Sequence, residues 1–202
     1  MLIITGLGKT GTSMIARFCY LIGYDLGTTS WDNREMSLCG MEHPVSMDIN
    51  NSIMGKITKQ TDKEIEIKIK SIKNQVIKDP RFTRRRGKIV KTWHKIRKDF
   101  KFIILNRDYS AMADRSIYTQ SIPNPEKIFD KNKLIEQNKK RFDTFLNVIN
   151  KLKIPYKIII FPDFLDQYNL IYEYLHWGGL KFDYNKGELI WNQWADKSKV
   201  HF

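Results

Sequence analysis

Two cysteines in 202 residues, Cys19 and Cys39, are too few for a disulfide framework. No uninterrupted apolar run approaches the ~20 residues of a membrane-spanning helix. No charged segment with a following apolar core and cleavage site stands ahead of the first apolar run at Leu2, so the expectation is a soluble, cytoplasmic protein without leader or anchor. Internal repeats, low-complexity tracts, domain linkers and His/Cys/Asp groups at metal-ligand spacing are also missing, which predicts a single domain over 1–202 and no metal. Acid is scarce: 35 Lys and Arg face 22 Asp and Glu, a net charge of +13 that favours polyanionic partners and steers charged ligands. Much of that excess falls in Lys-rich segments such as Lys63–Lys78 and Lys131–Lys153, which read as solvated helix faces.

What is present begins at once. Leu2-Ile3-Ile4-Thr5 is a short apolar run, Gly6-Leu7-Gly8-Lys9-Thr10-Gly11-Thr12-Ser13 a glycine-rich turn, and Met14 to Gly23 an amphipathic segment closed by glycine. The series predicts strand, phosphate-binding loop and helix. In such a loop successive backbone N–H groups and the positive end of the helix dipole converge on an anion. Thr12 and Ser13 add hydroxyl donors. The nucleotide-triphosphatase form of the loop requires a lysine directly after its second glycine, where this chain has Thr12; its one loop lysine, Lys9, precedes Gly11.

Further apolar runs ending in charge follow. Val76-Ile77-Lys78-Asp79-Pro80-Arg81 and Phe102-Ile103-Ile104-Leu105-Asn106-Arg107 read as buried parallel strands that deliver Lys78 and Arg107 to their C-terminal ends, where open α/β sheets bind ligands. Tyr156 to Phe161 is a further strand. Thr61 to Ile77 fits both periodicities, and its length favours helix; helices are also expected over Met47–Met54, Arg84–Asp99, Ser110–Ser121 and Asp163–Trp177, with another before Leu152. The fold class is α/β, a three-layer αβα arrangement around a mostly parallel sheet.

The Lys9-Thr10-Gly11-Thr12-Ser13 loop, the Gly40-Met41-Glu42 segment, Lys78-Asp79-Pro80-Arg81 and Arg107-Asp108 stand in the order used by sulfotransferases that take 3′-phosphoadenosine 5′-phosphosulfate (PAPS), which the chain resembles over Leu2 to Ser116. Met41 replaces the family's aromatic, Tyr109 replaces a proline, and Ser116 falls one place late, with Arg115 in its slot. The resemblance implies that Gly8, Lys9, Thr10, Gly11, Thr12 and Ser13 hold the 5′-phosphosulfate, and that Arg107 holds the 3′-phosphate together with Ser116 or Arg115. It implies Glu42 as the base, tuned by burial to accept a proton near neutrality, with His43 and His94 as rivals. Lys78 either orients the sulfuryl group or pairs with Asp79.

The expected activity is transfer of a sulfuryl group from PAPS to a hydroxyl or amine of a small-molecule or carbohydrate acceptor. A small-molecule kinase on the same loop and a non-catalytic anion or nucleic-acid binder are the alternatives. The first lacks its loop lysine, and the second lacks a basic-aromatic module. Trp31, Trp93 and Trp177 are candidates to stack on an acceptor ring or to pack in the core.

Overall fold

A computed structural model describes residues 1–8, 10–27, 41–121 and 128–195, the side chains of Gln120 and Trp194 excepted. Four strands, β1 (Leu2–Gly6), β2 (Val76–Lys78), β3 (Lys101–Arg107) and β4 (Tyr156–Phe161), form one sheet in the order β2-β1-β3-β4, and every pairing is parallel. Between the strands run α1 (Thr12–Leu21), α2 (Pro44–Met54), α3 (Asp62–Ser71), α4 (Lys88–Ile96), α5 (Tyr109–Ser121) and α6 (Lys131–Lys151); α7 (Tyr168–Trp177) and α8 (Tyr184–Trp194) follow β4.

Alternation along β1 makes the layers. Leu2 and Ile4 pack on one face with Ile15, Phe18 and Cys19 of α1, Ile171 of α7 and Trp191 of α8. Ile3 points the other way, into a core with Ile49 of α2, Ile69 of α3, Trp93 of α4 and Phe145 of α6. All five β1 residues are buried, so the strand reads as a continuous apolar run. The fold is therefore a three-layer αβα sandwich on an all-parallel sheet.

Thr61 settles the ambiguous stretch. Its hydroxyl accepts from the Glu64 backbone N–H at 3.2 Å while Glu64 accepts from the Thr61 N–H at 2.7 Å, a capping box that opens α3. The helix expected over Arg84–Asp99 shortens to α4, because Arg85, Arg86 and Gly87 all have positive φ (53°, 50° and 77°) and so cannot continue a right-handed helix. The helix expected from Asp163 is a short 3₁₀ turn, Asp163–Asp166, before α7. Trp93 and Trp191 are core residues: their indole N–H groups donate to Asn50 Oδ1 and Leu165 O. Trp177 meets Lys101 and Lys157 across its ring, and Trp31 lies outside the described residues. Among the described residues no helix is long and apolar enough to cross a membrane.

The strand order sets the topological switch point of the sheet, where open α/β sheets bind ligands. The chain leaves β1 to one side for β2 and returns past it to β3 on the other, so the crossovers diverge between β1 and β3 at their C-terminal ends. Gly6 and Arg107 end those two strands.

Candidate functional site

After Gly6 the chain turns through Leu7–Gly11 into α1. Thr10 is buried and its hydroxyl donates to Leu7 O at 2.8 Å, so this side chain closes the loop on itself and only its backbone is left to face a ligand. Gly11 caps α1 with φ 82°; its carbonyl accepts from the Met14 N–H at 3.0 Å, and among the described residues no side chain caps the helix's first turn. That leaves a helix N-terminus with its dipole and donors directed at the loop. Thr12 is buried, Ser13 half-buried and Gly8 exposed; Lys9 lies outside the described residues.

Arg107 meets the loop through an aromatic ring. The guanidinium stands 5.1 Å from the centroid of Phe161, its register partner on β4, and a Cβ at Gly11 would come within 2.6 Å of that same ring. Glycine is therefore required at position 11 both for its φ and for the close approach. Arg107 is only 5% exposed; burial and the neighbouring Arg115 charge lower its pKa, while Asp108 opposes them. Arg115 lies on α5, its guanidinium 5.2 Å from the Tyr118 ring. Ser116 occupies the next position on α5, and Asp108 opens the helix by accepting from the Ala111 N–H at 2.9 Å. Two arginines, one buried and one on α5, thus gather at the β3 end of the switch point.

The end of β2 carries a different chemistry. Lys78, its side chain 3% exposed, donates to Glu42 Oε1 at 2.9 Å, so its partner is Glu42 and not Asp79. Asp79 is fully buried and accepts from Ser46 Oγ (2.9 Å), Asn50 Nδ2 (2.9 Å), the Arg81 N–H (2.8 Å) and Arg81 Nη1 (3.1 Å). Its own backbone N–H donates to Ile4 O of β1 at 3.1 Å, tying the network to the central strand. Arg81 also donates to Asn51 Oδ1 at 3.0 Å and approaches Glu42 at 3.4 Å. Because side chains alternate along β2, Lys78 emerges on the face of Val76 and Ile4, which α1 covers, and so beside the turn that leads into α1.

These contacts decide the candidate bases. Burial opposes ionisation of Glu42, but Lys78 and Arg81 outweigh it and hold the carboxyl below the usual glutamate range, opposite to the upward tuning expected from burial alone. His43 is the N-cap of α2: its Nδ1 accepts from the Ser46 N–H at 3.3 Å and its Nε2 lies 2.9 Å from Asn74 Oδ1, which fixes the proton on Nε2. Both nitrogens are engaged, and burial lowers the imidazole pKa against the opposing effects of Asn74, Asp25 and Asp79. His94 sits in the last turn of α4 against Phe100, just before β3 begins, and so at the opposite edge of the sheet from the loop. His43 caps α2 and His94 lies away from the loop; of the candidate bases, Glu42 is the one that meets Lys78 at the end of β2.

Sequence reasoning missed the Ser46–Asn50–Asp79 network. Its signal was the spacing of Ser46 and Asn50, four residues apart and therefore on one face of α2. Among the described residues no group of three or more His, Cys, Asp or Glu side chains is placed to hold a metal ion. Compared with known proteins, the chain matches no protein-family model and no curated protein.

Proposed function

We propose that this chain is a PAPS-dependent sulfotransferase acting on a hydroxyl or amine of a small-molecule or carbohydrate acceptor. One observation carries the reading: at the β1/β3 switch point a helix N-terminus without a side-chain cap stands next to the buried Arg107, linked through Gly11 and Phe161. A nucleotide with anionic groups at both its 5′ and 3′ positions suits such a pair of sites, and the donor set of N–H groups, hydroxyls and guanidinia is right for oxyanions.

When bound, PAPS supplies a sulfuryl group whose bond to the 5′-phosphate oxygen breaks as the acceptor's oxygen or nitrogen takes it. The N–H groups of Thr12 and Ser13, with Lys9, hold the 5′ end and offset the charge that builds on the departing phosphate. Arg107 and Arg115 take the 3′-phosphate, for which a guanidinium offers two parallel N–H donors; Ser116 adds a hydroxyl. Glu42, ionised at neutral pH, receives the acceptor's proton late, once bonding to sulfur has made that proton acidic. Lys78 orients Glu42 and holds negative charge near the transferring group.

The test is calorimetric titration with adenosine 3′,5′-bisphosphate, 5′-AMP and ATP·Mg²⁺, using Arg107→Ala as the control. Micromolar binding that requires the 3′-phosphate and falls about tenfold or more in the variant is expected. Equal or tighter binding of ATP·Mg²⁺ overturns the reading in favour of a kinase.

A further inference from the structure

The run Arg84-Arg85-Arg86 does not join α4; Arg85 and Arg86 form the wall of a groove of about 710 Å³ between that turn and α6. Among the described residues five cations line the groove, Arg85, Arg86 and Lys88 from one side and Lys140 and Arg141 from the other, with Gln137 and Thr144 as neutral hydrogen-bonding groups and no carboxylate. Asp143, between Arg141 and Thr144 in sequence, acts electrostatically on Tyr109 of α5 and is not part of the lining.

The backbone is held in an unfavourable form to keep this wall in place. Arg85 and Arg86 have φ of 53° and 50°, a left-handed pair of non-glycine residues, which L side chains disfavour. Gly87 follows at φ 77°, and a Cβ there would come within 2.5 Å of Val148 on α6, so the turn is pressed against that helix. Arg85 is anchored by donating to Met54 O at the end of α2. Five like charges around one concavity repel each other; desolvation and the nearby Arg84 charge both lower the pKa of Arg141. A bound anion relieves that repulsion. The volume falls within the ~300–1,000 Å³ of small-molecule sites, so its occupant is compact and not an extended nucleic acid.

We propose that this groove binds a compact polyanion, several phosphate or sulfate esters on a small scaffold such as a sugar. The site is separate from the phosphate loop: the loop depends on backbone N–H groups and Arg107, the groove on exposed side chains of the 85–88 turn and α6. It stands independently of the sulfotransferase reading. The two sites adjoin, since Thr83, one residue before the arginine run, donates through its hydroxyl to Gly6 O at the start of the loop, at 3.4 Å.

The experiment is calorimetric titration of the full chain at ~50 mM salt with inositol hexakisphosphate, a trisulfated disaccharide and a single-stranded oligothymidine. Two variants guard against misfolding. Lys140→Glu with Arg141→Glu reverses exposed charges on α6, and Arg86→Gly removes a guanidinium while easing the left-handed backbone. Expected is micromolar binding of the hexakisphosphate, the sulfated disaccharide or both, weakened about tenfold or more by each variant and unchanged in Arg107→Ala. The relative affinity of the two probes identifies the ester recognised. Absence of binding by both, binding indifferent to both variants, or tighter binding of the oligonucleotide that grows with its length overturns the proposal, the last in favour of a nucleic-acid surface.

Discussion

Two neighbouring strand ends use their polar groups in opposite ways. At the end of β2 the groups face each other: Asp79 accepts four hydrogen bonds, Lys78 and Arg81 converge on Glu42, and both nitrogens of His43 are engaged. At the end of β1 the first turn of α1 has no side-chain cap, and the one loop hydroxyl that bonds inward, Thr10, serves to shape the turn. A saturated network is a platform that fixes positions; donors left at a helix N-terminus make a receptor. On the proposed reading, ligand binding belongs to β1 and β3, and β2 supplies the rigid ground beside them.

The largest expected effect tests the platform. Asp79→Ala removes the buried carboxylate on which Ser46, Asn50 and Arg81 converge, and should cost about 3–5 kcal/mol in urea denaturation. A loss below about 1 kcal/mol would mean that the network is dispensable and that the contrast between the strand ends is empty.

A smaller effect is expected at the receptor, from geometry and not from lost bonds. Gly11→Ala places a Cβ on a residue at φ 82° and within 2.6 Å of the Phe161 ring, at a cost of about 1–3 kcal/mol. Shrinking the ring with Phe161→Leu should return part of that stability, because it relieves the clash but not the backbone. In Gly11→Ala, adenosine 3′,5′-bisphosphate affinity should fall by more than the stability loss predicts. Unchanged affinity would remove the loop from the site.

What the sequence makes legible is local. The succession of β1, glycine-rich turn and α1, the strand that delivers Arg107 and the burial of Cys19 each follow from a contiguous run of residues. The capping box at Thr61 and Glu64 is equally readable, and it decides α3 where hydrophobic period alone leaves strand and helix in competition. What stays hidden depends on residues distant in the chain. Glu42 has its pKa lowered because Lys78 and Arg81, more than 35 positions away in sequence, meet it in space. The left-handed turn at Arg85 and Arg86 has no signal in propensity, which favours helix for arginine; packing of Gly87 on Val148 overrides it. Lys140 and Arg141 read as an ordinary solvated helix face until the turn opposite them is known.

The smallest effect concerns His43 and sharpens the contrast by pH. An imidazole whose folded pKa is lowered disfavours protonation of the native state, so its contribution is fully present above the unfolded value of about 6.5 and is lost as pH falls through the lower folded value. Glu42 follows the same sign at lower pH: its contribution is present above about 4.3 and disappears only beneath that. His94, whose pKa burial and Lys98 also lower, titrates below the same value of about 6.5, so between about pH 5 and 6.5 the His43 effect is the difference between the parent and a His43 variant. His43→Asn keeps an acceptor for the Ser46 N–H but loses the contact with Asn74, and should cost about 1 kcal/mol at pH 8 while flattening the decline of stability in that window. Denaturation midpoints of both proteins across the pH range check this. A variant that declines as steeply as the parent would show that His43 is not held neutral by the platform, and would return it to the set of residues available for proton transfer.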